Sequence, residues 1–250
     1  MRKPKQDRQG GVTSLRSFPA RTLQLASRCR ADKRAKLKGD MRALYIHAWS
    51  KQAQVGDEEP AWVNPFYAQI FGIYTIGELN TQPTALVAAP EQKRELPGVN
   101  LVCCRNEAEM LKQFWTLYKS GPSETLATYN GRKYTIPCLY WRSALHGVEI
   151  ANPDLLHDRY KPGPHVDLAD VLTYHGLLRI PTLAVLAGQL NIPLPSLAEG
   201  DAIQQMITAA LAAPNPAMLQ MLAKNGVEYA RVIAQIGAHW RKHLNKTAYR

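Results

Sequence analysis

Asn130-Gly131 is the feature that most limits what this chain can fold into. It separates a β-prone run at residues 124–129 from a segment in which Pro137 suits a first helical position, residues 138–146 continue the helix and Gly147 closes it. A strand, a tight turn and a helix are therefore predicted in direct succession. Ahead of that unit, residues 42–49, 67–76, 85–89 and 100–104 are short runs of β-branched, aromatic or apolar residues bounded by Pro and Gly, and read as four strands. Asn106 can cap a helix with Glu109 as its capping-box partner. Met110, Leu111, Phe114, Leu117 and Tyr118 then fall at helical spacing down to Ser120-Gly121-Pro122.

After the turn the chain becomes helical. A charged loop over residues 154–164 leads to a short helix at 167–175, in which Asp167 and Asp170 take the cap and third positions. Further helices are predicted at 182–190, 201–212 and 217–244, the last bent near Asn225-Gly226. Strands first, then one strand-helix unit and a helical C-terminal half, indicate a layered α/β fold whose sheet comes from the N-terminal half. A length of 250 residues, 46% of them hydrophobic, is enough for one large domain over residues 41–250.

The basic charge is concentrated in residues 1–40. That stretch holds 12 Lys or Arg and 3 Asp or Glu, net +9, so of the formal +11 only 11 − 9 = +2 belongs to residues 41–250. With few large apolar residues and no sustained period, residues 1–40 are expected to be a disordered tail. As a basic arm it could bind phosphates in a salt-sensitive way. A solvated extension, a start codon assigned too far upstream of Met41 and a transit segment are the alternatives.

Cys29, Cys103, Cys104 and Cys138 show no Cys-x-x-Cys spacing, which argues against structural zinc and against a secreted disulfide framework and favours a reducing cytoplasm. No run of about 18 apolar residues is present, so a soluble protein without a membrane partner is expected.

The run Tyr129-Asn130-Gly131-Arg132-Lys133-Tyr134-Thr135-Ile136-Pro137-Cys138-Leu139, with Arg142 beyond it, resembles the pattern Phe-Asn-Gly-Arg-x-Phe-Asp-x-Pro-x-Leu. That pattern is found in the predicted exonucleases related to the proofreading domain of family B DNA polymerases. A second likeness is His165-Val166-Asp167-Leu168-Ala169-Asp170-Val171-Leu172, followed by Gly176 and the segment from Thr182 to Pro193. The resemblance implies the DnaQ-like branch of the RNase H-like fold: a mixed sheet flanked by helices, with a helical C-terminal half. It also implies 3′-to-5′ hydrolysis by two Mg²⁺ or Mn²⁺ ions held by four carboxylates.

Those carboxylates are missing from the matching positions. On the first strand the paired sites fall on Tyr45 and His47, the site after the turn on Thr135, and the last-helix site on Glu228 of a Lys224-x-x-x-Glu228 pair. One acid in place of four cannot hold two closely spaced dications. No cofactor is therefore expected. The leading expectation is a degenerate exonuclease-like pseudoenzyme acting as a nucleic-acid-binding or protein-interaction subunit.

An active enzyme would need Mg²⁺ or Mn²⁺ in a rearranged site, drawing on His47, Asp167, Asp170 or Glu228. A scaffold subunit of a larger assembly is the third expectation. Asn130, Arg132, Lys133, Tyr140 and Arg142, with Trp141, could contact single-stranded DNA or RNA, or could equally be core aromatics with a solvated basic rim. Asp167 and Asp170 are explained by helix capping alone. His239 and His243, four apart, lack a third ligand.

Overall fold

The computed structural model describes residues 41–51, 54–55, 59–77, 82–89, 95–120, 125–156, 159–160, 163–194, 198–213 and 215–244. The expected disorder of residues 1–40 lies outside them. Strand β1 (Met41–Trp49) is followed by a two-residue hairpin, β2 (Gln54–Val55) with β3 (Glu59–Pro60). Then come β4 (Gln69–Ile76), β5 (Thr84–Ala88), β6 (Asn100–Cys104), helix α1 (Glu107–Ser120), β7 (Thr125–Thr128) and α2 (Thr135–Leu145). The remaining elements are β8 (His165–Asp167), α3 (Leu168–Leu172), α4 (Leu183–Gln189), α5 (Asp201–Ala212) and α6 (Pro216–His239).

Six strands form one sheet in the order β6-β5-β4-β1-β7-β8. β4 runs antiparallel to both β1 and β5, while β7 is parallel to β1 and to β8. β6 adds a parallel edge beside β5. Along β1 the alternation of side chains divides two cores. Met41 and Ala43 pack with the α6 face, where Leu222, Ile233 and Ile236 are buried; Leu44, Ile46 and Ala48 pack with α1 and α2, over Leu111, Phe114 and Leu139. The sheet is therefore covered on both faces, which suits near-continuous apolar strands such as Ile70–Ile76 in β4.

Local sequence explains most element ends. Asn106 Oδ1 accepts the Glu109 N–H at 2.9 Å, as a cap should, but the Glu109 carboxylate accepts the Arg105 N–H at 2.8 Å rather than closing the box on Asn106. Helix α2 starts at Thr135, two residues before the predicted first position. Pro137 is tolerated there because the N–H groups of a first turn have no intrahelical partner. β8 lies where the sequence predicts a loop and the start of a helix; three residues are too few to show a period, and pairing with β7 creates the strand. Helix α6 runs unbroken through Asn225 and Gly226 and becomes irregular only at Trp240–Leu244. The predicted bend at Gly226 is thus replaced by a close-packing role.

Candidate functional site

Tyr45 and His47, two apart on β1, point to the α6 side of the sheet. Opposite Tyr45 on β4 lies Tyr74, and opposite His47 lies Gly72. His47 is buried and fully engaged: Nδ1 is 2.8 Å from the Tyr74 hydroxyl and Nε2 is 3.0 Å from Asn225 Oδ1 on α6. An amide oxygen can only accept, so Nε2 carries the proton and Nδ1 accepts from the tyrosine. Burial depresses the His47 pKa to about 4, partly offset by the bond to Asn225, and the ring is neutral at pH 7.

The Tyr74 ring occupies space that two glycines leave free. A Cβ on Gly72 would come within 2.2 Å of the Tyr74 hydroxyl, and a Cβ on Gly226 within 2.2 Å of the ring. Gly226 is therefore required by the approach of a β4 tyrosine to helix α6. Tyr45 in turn stacks on Tyr229, one helical turn after Asn225, with centroids 4.6 Å apart and planes 15° apart. The Tyr229 hydroxyl donates to Glu199 Oε1 at 2.5 Å.

These groups border a pocket of about 220 Å³ lined also by Trp62, Tyr134, Gly200, Ile203 and Gln204. Gln204 is occupied with β1, donating to the Ala48 carbonyl at 2.7 Å. The Tyr134 hydroxyl donates to the Trp62 carbonyl. Burial raises the pKa of Tyr45, Tyr74, Tyr134 and Tyr229, so every phenol here is protonated. Among the described residues lining the pocket, Glu199 is the one carboxylate.

The expected fourth member of the site is displaced by one residue along the helix. Glu228 faces away from β1 and pairs with Arg231 at 3.4 Å, and Lys224 is exposed; Asn225 and Tyr229 take the positions facing β1. The physical reason is the apolar stripe of α6. Leu222, Gly226, Tyr229, Ile233 and Ile236 are buried at alternating spacings of four and three, which places 225 and 229 toward the sheet and 224 and 228 toward solvent. That stripe was visible in the sequence and could have found Asn225 and Tyr229. Thr135 is buried at the start of α2, but the side chain that this segment sends to the pocket is Tyr134.

Asp167 and Asp170 lie elsewhere, at the β8–α3 corner. Asp167 caps α3 by accepting the Ala169 N–H at 3.1 Å, and also accepts the N–H groups of Asn130 at 2.8 Å and Arg132 at 2.9 Å. The carboxylate therefore clamps the Asn-Gly turn, whose Asn130 has φ 56. Burial raises the Asp167 pKa against the opposing pull of these bonds. Asp170 is held between Arg159 and Arg132, the latter at 3.6 Å. Among the described residues no three His, Cys, Asp or Glu converge on a point where a metal ion could sit. His239 and His243 do meet, with ring centroids 4.5 Å apart.

The residues expected to meet nucleic acid are largely spoken for. The backbone N–H groups of Asn130 and Arg132 go to Asp167 and the Arg132 side chain is mostly buried beside Asp170, whereas Asn130 itself is exposed. Arg142 makes a two-pronged pair with Glu107, at 2.8 and 2.5 Å, and Glu107 also accepts the Ile70 N–H at 2.7 Å and faces His146 at 2.9 Å. This network ties α1, α2 and β4 together. The Tyr140 hydroxyl donates to the Asn152 carbonyl and accepts from Leu155, both at 2.9 Å. Lys133 is exposed. Trp141, exposed by 38%, meets Phe66, exposed by 64%, edge to face at 4.9 Å, beside an open apolar groove of about 400 Å³.

The strand order, with three antiparallel strands continued by two parallel ones and helices on both faces, is that of an RNase H-like α/β domain. Residues 84–212, just over half of the chain, match the family of predicted 3′-5′ exonucleases related to the exonuclease domain of PolB, and the chain belongs to that family. The match spans β5 to α5 and so contains the Asn-Gly turn and Asp167, whereas β1 and α6 lie outside it. No curated protein matches the chain.

Proposed function

We propose that this domain is a non-hydrolysing member of its family that works by binding, with a protein partner as the first candidate. The observation that carries this reading is the His47–Tyr74–Asn225 network, a neutral and hydrogen-bonded cluster at the place where the resemblance requires a pair of carboxylates. A neutral imidazole with both nitrogens committed cannot also ligate a dication, and Tyr45, protonated and stacked, offers no anionic oxygen. The internal pairing of Arg132 and Arg142 removes two cations from any phosphate-binding surface, which favours a protein partner over nucleic acid.

Nucleic-acid binding is the second reading, favoured by exposed Lys133 and by the exposed Trp141 and Phe66 rings, on which single-stranded bases could stack. A reducing, cytoplasmic setting suits the buried thiols of Cys104 and Cys138; burial pushes the Cys138 thiol up to about 12. Among the described residues no helix is long and apolar enough to cross a membrane.

The test uses uniformly labelled single-stranded DNA and RNA with Mg²⁺ and Mn²⁺, alongside a filter-binding measurement at low and high salt. No mononucleotide release and no salt-sensitive retention is the expected pattern. Retention without release would select the nucleic-acid reading, and metal-dependent release would overturn both.

A further inference from the structure

We infer that the pocket between β1 and α6 is a receptor for an alkylated ammonium group, bound by cation–π contact and charge pairing. The inference rests on the reading that this pocket no longer holds a metal pair. Four aromatic residues border it, Tyr45, Trp62, Tyr134 and Tyr229, and among the described lining residues the one acidic side chain is Glu199. Among the described residues no Lys or Arg lines it, and His47 is neutral. An anion such as a phosphate would meet a carboxylate with nothing to offset it. A neutral apolar group would gain nothing from that carboxylate, which is exposed and accepts from Tyr229.

Aromatic rings attract cations through the negative charge of their faces, and the attraction strengthens where water is excluded. The Tyr229 hydroxyl, donating to Glu199 at 2.5 Å, gains electron density from the carboxylate and passes it to the ring, so the acid acts both directly and through the phenol. A compact dication such as Mg²⁺ is not the matching ligand, because it needs several oxygen ligands and this pocket supplies one carboxylate. A quaternary ammonium is weakly hydrated, needs no hydrogen-bond acceptors, and suits an aromatic space of about 220 Å³. Gly200, the N-cap of helix α5, lies on the pocket lining, but Asp201 in the first turn offsets the positive end of the helix.

The direct test is calorimetric titration of the full chain with choline chloride and with 3,3-dimethylbutan-1-ol, the uncharged carbon isostere. One choline per chain is expected, with the isostere weaker by about tenfold or more. Glu199→Gln, which keeps an acceptor for Tyr229 on an exposed side chain, should lower choline affinity by about tenfold with an unchanged circular dichroism spectrum. Trp62→Leu should weaken choline and leave the isostere unaffected. A parallel titration with a trimethyl-lysine peptide and its unmodified counterpart separates the sources: tighter binding of the methylated peptide places the group on a partner protein, tighter choline binding on a small molecule. Equal affinity for choline and its isostere, no saturable choline binding, or a Glu199→Gln variant that binds as the parent does would overturn the inference. Metal-dependent nucleotide release, measured separately, would instead overturn the reading beneath it.

Discussion

The β8–α3 corner and the β1–α6 pocket lie on the same sheet and use polar groups in opposite ways. At the corner, two carboxylates are buried and matched by backbone N–H groups and arginines: Asp167 holds the Asn130-Gly131 turn and Asp170 sits between Arg159 and Arg132. In the pocket, the positions that would carry catalytic acids hold a neutral imidazole, phenols and an amide. The comparison teaches that Asp167 is placed where the backbone needs an acceptor, while the pocket positions carry neutral groups. A buried carboxylate with three N–H partners stabilises a turn, whereas two or more unpartnered ones without metal would repel each other.

The largest expected effect belongs to the corner. Asp167→Ala leaves three N–H groups without their acceptor and should cost about 4 kcal/mol in urea unfolding, with Asp167→Asn costing roughly half. A loss below about 1 kcal/mol would mean that the clamp is not what holds the turn.

The pocket should respond next, through pH. Above the ordinary histidine value of 6.5 neither the folded nor the unfolded chain protonates His47. Between there and about 4 the unfolded chain takes up a proton that the buried ring refuses, so stability falls as the pH falls, by about 3 kcal/mol across that window. Asp167 works in the opposite sense, since a raised folded-state pKa favours the folded chain at low pH. His47→Gln should flatten the slope between pH 6.5 and 4 and leave the rest of the profile in place; an unchanged slope would assign it to other groups.

Gly226→Ala should follow, at about 2 kcal/mol, because a Cβ 2.2 Å from the Tyr74 ring outweighs the gain in helix propensity. Tyr74→Phe removes the proton donated to His47 and should cost about 1–2 kcal/mol with little change in fold. At the small end, Lys133→Ala should leave stability within about 0.5 kcal/mol. If nucleic acid does bind, the same change should reduce the salt dependence of retention by about one phosphate contact.

Much of this arrangement can be read along the chain. The Asn-Gly turn, the helix after it, the Asn106 cap and the placement of Tyr45 and His47 on one side of β1 all follow from spacing and local chemistry. The network itself does not, because it joins residues 47, 74 and 225, which only the sheet register and the α6 stripe bring together. Gly226 shows the same limit: locally it suggests a bend, and only the approach of Tyr74 gives its role. Arg132 and Arg142 read as a basic rim beside an aromatic pair, yet their partners Asp170 and Glu107 lie 38 and 35 positions away and turn them into internal braces.

The most direct test of the emptied site is Mn²⁺ binding followed by electron paramagnetic resonance, in which bound ion loses the sharp signal of free Mn²⁺. The account predicts that the signal grows in proportion to added Mn²⁺ with no saturable loss at stoichiometric protein. Disappearance of two ions' worth of signal per chain, abolished by His47→Gln or Glu199→Gln, would contradict it.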